Sequence, residues 1–188
     1  MRAFVAVDLP GAVRERLSEE VSSLKESNAD VRWTRPENFH LTLKFLGDVS
    51  IANLELLTEM IEKEISSHRQ FDISVGGSGA FPNIRQPHVV WVGVEAPPEL
   101  SAIQNGIEVT TSRLGYSREE RAFSPHLTLG RVSRNATSLD VKKISIVLET
   151  NKIGFLGATC VEKVYLYRSD LQPAGAVYTQ IYSSSLIK

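Results

Sequence analysis

The chain has 188 residues, 42% of them hydrophobic, which suits a substantial core in one or two domains. Lys plus Arg number 21 and Asp plus Glu 22, a net charge of −1, and this argues against a protein that coats a long nucleic-acid backbone. No apolar run reaches the roughly 18 residues of a membrane span, no signal-peptide pattern precedes Asp8, and one cysteine, Cys160, cannot form an internal disulfide; a cytoplasmic monomer is expected.

Phe4-Val5-Ala6-Val7 predicts a strand, and Pro10 opens a helix with Val13, Leu17, Val21 and Leu24 on one face. His40-Leu41-Thr42-Leu43 predicts a strand with His and Thr on one side and the leucines on the other. Leu54, Leu57, Ile61 and Ile65 mark a second helix, residues 71–75 a strand, and Gly76-Gly77-Ser78-Gly79 a loop. Val90-Trp91-Val92-Gly93 begins the order again, with Pro97-Pro98 ahead of a helix bearing Leu100, Ile103 and Ile107. A polar loop at 116–121 leads to His126-Leu127-Thr128-Leu129. A helix with Val141, Ile144 and Leu148 follows, capped by Thr137 or Ser138, then a strand at 155–161 in which Cys160 reads as a packed residue.

The same tetrapeptide thus occurs twice, 86 positions apart, and the same shift superimposes the flanking elements. Strand–helix–strand–helix–strand, read twice, predicts an α+β, bilobal duplicated fold with pseudo-twofold symmetry. Two antiparallel-rich sheets flanked by helices would enclose a central cleft in which the histidine strands meet. No linker separates the halves, so residues 1–188 are expected to form a single bilobal catalytic domain, with internal repeats at approximately 1–86 and 87–188.

Two imidazoles on opposite sides of one phosphorus can divide the work of cleaving a phosphodiester, one taking a proton from water and the other giving one to the departing oxygen. His40 and His126 are the candidate catalytic pair. Thr42 and Thr128, on the same faces, can donate to the non-bridging oxygens as they gain charge. Lys44 shares the strand parity of His40 and Thr42 and is expected to bind phosphate. Arg131 is the candidate phosphate-binding arginine; it has the parity of Leu127 and Leu129, so it reaches the cleft only past a bulge or strand end. Phe45, Phe81 and Trp33 are candidates to stack on a base, although Phe45 has the parity of Leu41 and Leu43, which favours burial. His68 lies in a polar run and His88 at a strand edge, so no metal site is predicted and no cofactor is required. Neither a Gly-x-Ser-x-Gly elbow nor a P-loop occurs.

Residues 2–10, the frame from Val31 to Gly47 around the first tetrapeptide, and Ser124-Pro125-His126-Leu127-Thr128-Leu129-Gly130-Arg131 resemble the two-histidine phosphoesterase superfamily. More closely, nearly the whole chain resembles the RNA 2′,3′-cyclic phosphodiesterases, also called 2′-5′ RNA ligases. That resemblance implies opening of a terminal 2′,3′-cyclic phosphate to a 2′-phosphate, with His40 as general acid and His126 as general base. Its implied partners are RNA termini carrying the cyclic phosphate, tRNA fragments among them, and its implied side activity is 2′-5′ ligation. Two alternatives stand beside it: a phosphodiesterase for 2′-5′ oligonucleotides or small cyclic nucleotides, and a non-catalytic RNA-end binding module.

Overall fold

The computed structural model describes residues 1–173 and 175–188. The elements, in order, are β1 (Arg2–Val7), α1 (Gly11–Lys25), β2 (Val31–Trp33), β3 (Leu41–Asp48), α2 (Leu54–Ile65), β4 (Phe71–Asn83), β5 (Gln86–Glu95), α3 (Pro98–Ser112), β6 (His126–Val132), α4 (Ser138–Thr150), β7 (Phe155–Val161), β8 (Lys163–Gln172) and β9 (Gly175–Ser185). Each helix forms where an apolar stripe recurs at three to four residues, and that stripe is what it buries: Val13, Leu17, Val21 and Leu24 on α1, and Leu100, Ile103 and Ile107 on α3. Thr137 caps α4 in a reciprocal box with Asp140, satisfying end groups that the helix itself cannot.

The strands form two sheets, ordered β3-β1-β8-β9 and β2-β6-β5-β4-β7, with every neighbouring pair antiparallel. The predicted α+β bilobal class with its pseudo-twofold symmetry is what the molecule shows: β3-β1-β8 in one sheet corresponds to β6-β5-β4 in the other. The sequence halves do not map onto the sheets, however. β4, from the first half, pairs with β5, and β8, from the second, pairs with β1. Helices cross over in the same way, α3 packing on β3 and α1 on β7, while α2 and α4 stay with β9 and β5. The core is continuous through both layers, from Val5 and Leu41 to Leu127 and Ile144.

Two expectations fail here. Gly76–Gly79 is not a loop but the middle of β4, where a bulge at Gly77 (φ 71°) bends the strand. Glycine is needed at 79 because the Trp91 indole lies across it, and an added Cβ would sit 2.3 Å from Trp91 Cζ2. Cys160 is exposed rather than packed: on the edge strand β7, Val161 pairs with the buried Phe71 and turns inward while Cys160 pairs with Asp72 and turns to solvent. An extra residue at Leu156 lets that side chain turn inward despite sharing the parity of Cys160. Among the described residues, no helix is long and apolar enough to cross a membrane.

Candidate active site

β3 is an edge strand of the first sheet, and β6 is covered by the short β2 at Gly130–Val132 and by the Thr34 N–H donating to the Leu129 carbonyl. The open part of β6 carries His126 and Thr128, and β3 approaches β6 to within 8 Å between Cα atoms. The two histidine strands therefore meet where the sheets join.

Both histidines are held alike. His40 Nδ1 donates to the Asn38 carbonyl at 2.7 Å, and His126 Nδ1 to the Ser124 carbonyl at 2.7 Å. A carbonyl oxygen only accepts, so each Nδ1 bears the hydrogen and each Nε2 is left to exchange a proton. The turn presenting Asn38 is itself fastened, because Arg14 donates to the Leu9, Pro36 and Glu37 carbonyls and pairs with Asp8 at 3.2 Å. Asn38 Nδ2 donates to the Ala176 carbonyl on β9 at 2.9 Å.

The rings have different surroundings. His40 stacks on Phe4 at 4.6 Å and meets the edge of Tyr178 at 5.2 Å. His126 meets the edge of Phe81 at 5.0 Å and lies 6.4 Å from Trp91. Burial among these rings lowers the His40 pKa below its ordinary value, opposed by the Asn38 hydrogen bond and the Asp8 carboxylate and assisted by Arg14. Burial also pushes the Tyr178 hydroxyl up, while Arg131 and Arg2 pull it down. Arg131, from the second sheet, is thus within electrostatic reach of a tyrosine that touches His40.

Register decides the remaining candidates. On β1 and β3, Ala6 pairs with Thr42, Val5 with Lys44 and Phe4 with Phe45, so Leu43 is an extra residue on β3. That bulge inverts the alternation. Thr42 and Phe45 share the cleft face with Phe4, and Lys44 turns to the helix side. The expectation that Lys44 binds phosphate is therefore corrected: it is buried and ion-paired with Glu108 of α3. The burial expected of Phe45 is corrected as well, since it is 67% exposed and 6.1 Å from Phe4. β6 repeats the device: Trp91 pairs with Thr128 and Val89 with Arg131, so an extra residue at Leu129 brings Arg131 onto the face of Thr128. Trp33 instead packs over Gly130 and the core.

The site gathers His40, Thr42 and Phe45 from one lobe and His126, Thr128 and Arg131 from the other. Phe4, Tyr178 and Trp91 join it unannounced. Phe4 and Trp91 lie in uniformly apolar runs whose alternation does not reveal the cleft side. An extra residue at Ile181 puts Tyr178 and Tyr182 of β9 on opposite faces, Tyr182 donating to Glu62 of α2, so local spacing does not mark Tyr178 either. His68 bonds Glu64 Oε1 at 2.9 Å, and His88 is an exposed residue of β5.

Residues 7–91 match the family model described as LigT like Phosphoesterase. A protein of Methanothermobacter thermautotrophicus named RNA 2′,3′-cyclic phosphodiesterase is 38% identical over 183 residues, 96% of each chain. One of the same name from Archaeoglobus fulgidus is 35% identical over 96% of this chain and 98% of its own. Among solved structures, Escherichia coli LigT complexed with 3′-AMP superimposes with a TM-score of 0.80 at 26% identity, over 100% of this chain and 98% of that one. With two histidine strands on a shared cleft and relatives spanning both, the chain belongs to the LigT-like phosphoesterase family.

Proposed function

We propose that the protein is an RNA 2′,3′-cyclic phosphodiesterase acting through two histidines, without a metal ion or other cofactor. The carrying observation is the matched pair of imidazoles, each with Nδ1 committed to a carbonyl two residues earlier and Nε2 uncommitted. In this reading His126 accepts a proton from water as it attacks phosphorus, the P–O3′ bond breaks, and His40 protonates the departing 3′ oxygen. The product is a 2′-phosphomonoester. Burial makes the His40 imidazolium a stronger acid, which suits the group that must protonate an alkoxide, and the anionic ester bound beside it favours the charged ring.

Thr42 and Thr128 would donate to the non-bridging oxygens, where fixed donors act on charge that grows during the reaction. Arg131 would neutralise the same phosphoryl group, and Phe45 offers an exposed ring for the terminal base. The substrates are RNA fragments, tRNA halves among them, that end in a cyclic phosphate after the 2′-hydroxyl has displaced the downstream strand. All these groups come from one polypeptide, so residues 1–188 would form a single catalytic domain that works as a monomer. Ligation to a 5′-hydroxyl RNA is the same path reversed, and water outcompetes it at ordinary RNA concentrations.

The test is turnover of an oligonucleotide bearing a 2′,3′-cyclic phosphate, in EDTA, with the product read by phosphorus NMR. A 2′-monoester is expected. Loss of activity in EDTA would remove the metal-free mechanism, and tight binding without product would favour an RNA-end binding module. Equal or better turnover of a mononucleotide cyclic phosphate would move the substrate class to small cyclic nucleotides.

A further inference from the structure

Two buried charges take no part in that chemistry. Among the described residues only Lys44 and Glu108 are charged and buried, at 3% and 4% exposure, and they pair through Nζ and Oε2. Lys44 Nζ also donates to the Ser117 carbonyl at 2.9 Å, and Glu108 Oε2 accepts the Glu119 backbone N–H at 3.2 Å. Gln104, one turn back on α3, donates to Glu108 Oε1 at 3.4 Å and to the carbonyl of the bulge residue Leu43 at 3.5 Å. Ser117 and Glu119 lie in the stretch between α3 and β6, and that stretch ends at His126. Lys44 lies on the strand that His40 leads into, two residues beyond Thr42.

Taking two charges out of water is costly, and an apolar pair of similar volume often serves stability as well or better. Here the pair ties together three things that packing alone would leave loose: the bulge of β3, the helix α3 and the approach to β6. Among the described residues the other lobe shows no such tie, and the position equivalent to Lys44 is Gly130, filled over by Trp33 and Val31. We propose that Lys44 and Glu108 are positioning residues, a buried strut that fastens the segment delivering His126 to the strand carrying His40 and so sets the spacing of the two imidazoles. This rests on the acid–base reading above.

The strut matters only where both histidines must act on one phosphorus, and misplacing a catalytic group by about 1 Å costs about 10²-fold. The test compares a cyclic-phosphate oligonucleotide with a nucleoside 2′-(p-nitrophenyl phosphate), whose leaving group needs no proton. The double variant Lys44→Met/Glu108→Leu should stay folded, with kcat on the oligonucleotide down about 10- to 10²-fold and KM within about threefold. On the aryl ester the loss should be several-fold smaller. Parental kcat, or equal losses on the two substrates, would overturn the proposal, because a merely structural defect lowers both together. If the double variant does not fold, Gln104→Leu should show the same contrast with a smaller loss, and an unchanged ratio would overturn the proposal. His40→Ala measured alongside separates the two ideas: absence of a substrate contrast there removes the acid role of His40, whatever the strut does.

Discussion

Phe45 and Arg131 occupy equivalent places in the two lobes, 86 positions apart, each turned onto the cleft face by a bulge shortly before it. One is an aromatic plane and the other a cation, so the duplicated scaffold presents two different contacts from symmetric positions. Phe45→Ala should raise KM for an oligonucleotide by roughly 5- to 10²-fold, the loss of one base stack of about 1–3 kcal/mol, with little change in kcat. Arg131→Ala should lower kcat and also flatten the dependence of kcat/KM on salt, because one phosphate contact is lost. Steady-state kinetics at two salt concentrations check both, and an unchanged KM in Phe45→Ala would remove that ring from the substrate site.

The division of labour between the histidines gives a sharper test. His40→Ala and His126→Ala should each cost about 10²–10⁴-fold on the cyclic phosphate. On an aryl ester the departing phenolate needs no acid, so His40→Ala should recover most of its rate there and His126→Ala should not. The parental pH–rate profile should be bell-shaped, because one imidazole must be neutral while the other is charged. The reverse pattern of recovery would exchange the two roles.

The threonines act on charge rather than on protons. Thr42→Val and Thr128→Val keep side-chain volume and remove one hydroxyl donor each, and each should lower kcat by up to about 10²-fold without altering the pH limbs. A shifted limb in either variant would mean that the hydroxyl serves an imidazole instead of a phosphoryl oxygen.

His40 also links stability to pH. Its folded pKa lies below that of an unfolded histidine, near 6.5, because burial against Phe4 and its neighbours disfavours the cation. As pH falls below the unfolded value, the unfolded chain takes up a proton that the fold resists, so stability falls with acidification through that window and is recovered as pH rises. His40→Gln abolishes this titration. Urea midpoints measured between pH 5 and 7 should therefore slope less for the variant than for the parent, and an unaltered slope would contradict the burial argument.

How much of this could be read beforehand depends on the range of the interaction. The helices and the two histidine strands were legible because Val13, Leu17, Val21 and Leu24, or His40 and Thr42, declare their faces through local spacing. Lys44, Phe45 and Arg131 were not, because one inserted residue reverses every later side chain, and that insertion exists only relative to β1 or β5. The exchange of β4 and β8 between the sheets is likewise a matter of tertiary pairing. Gly76–Gly79 misled in the opposite direction: glycines that suggest a turn are there to admit a bulge and an indole.

Gly79 makes that last point testable. Its missing side chain is filled by Trp91, which lies 6.4 Å from His126, and the strand pairing leaves the ring no room above a methyl group. Gly79→Ala must push the indole aside or bend β4, an overpacking cost of about 1–3 kcal/mol. The urea midpoint should fall accordingly. Since Trp91 and Phe81 together bound the His126 ring, kcat should fall as well, while KM for a mononucleotide product analogue stays near the parental value. Indole fluorescence offers an independent reading, because a displaced Trp91 would be more accessible to quencher. A variant with parental stability, fluorescence and rate would show that Trp91 does not depend on the gap at Gly79 for its place beside the catalytic ring.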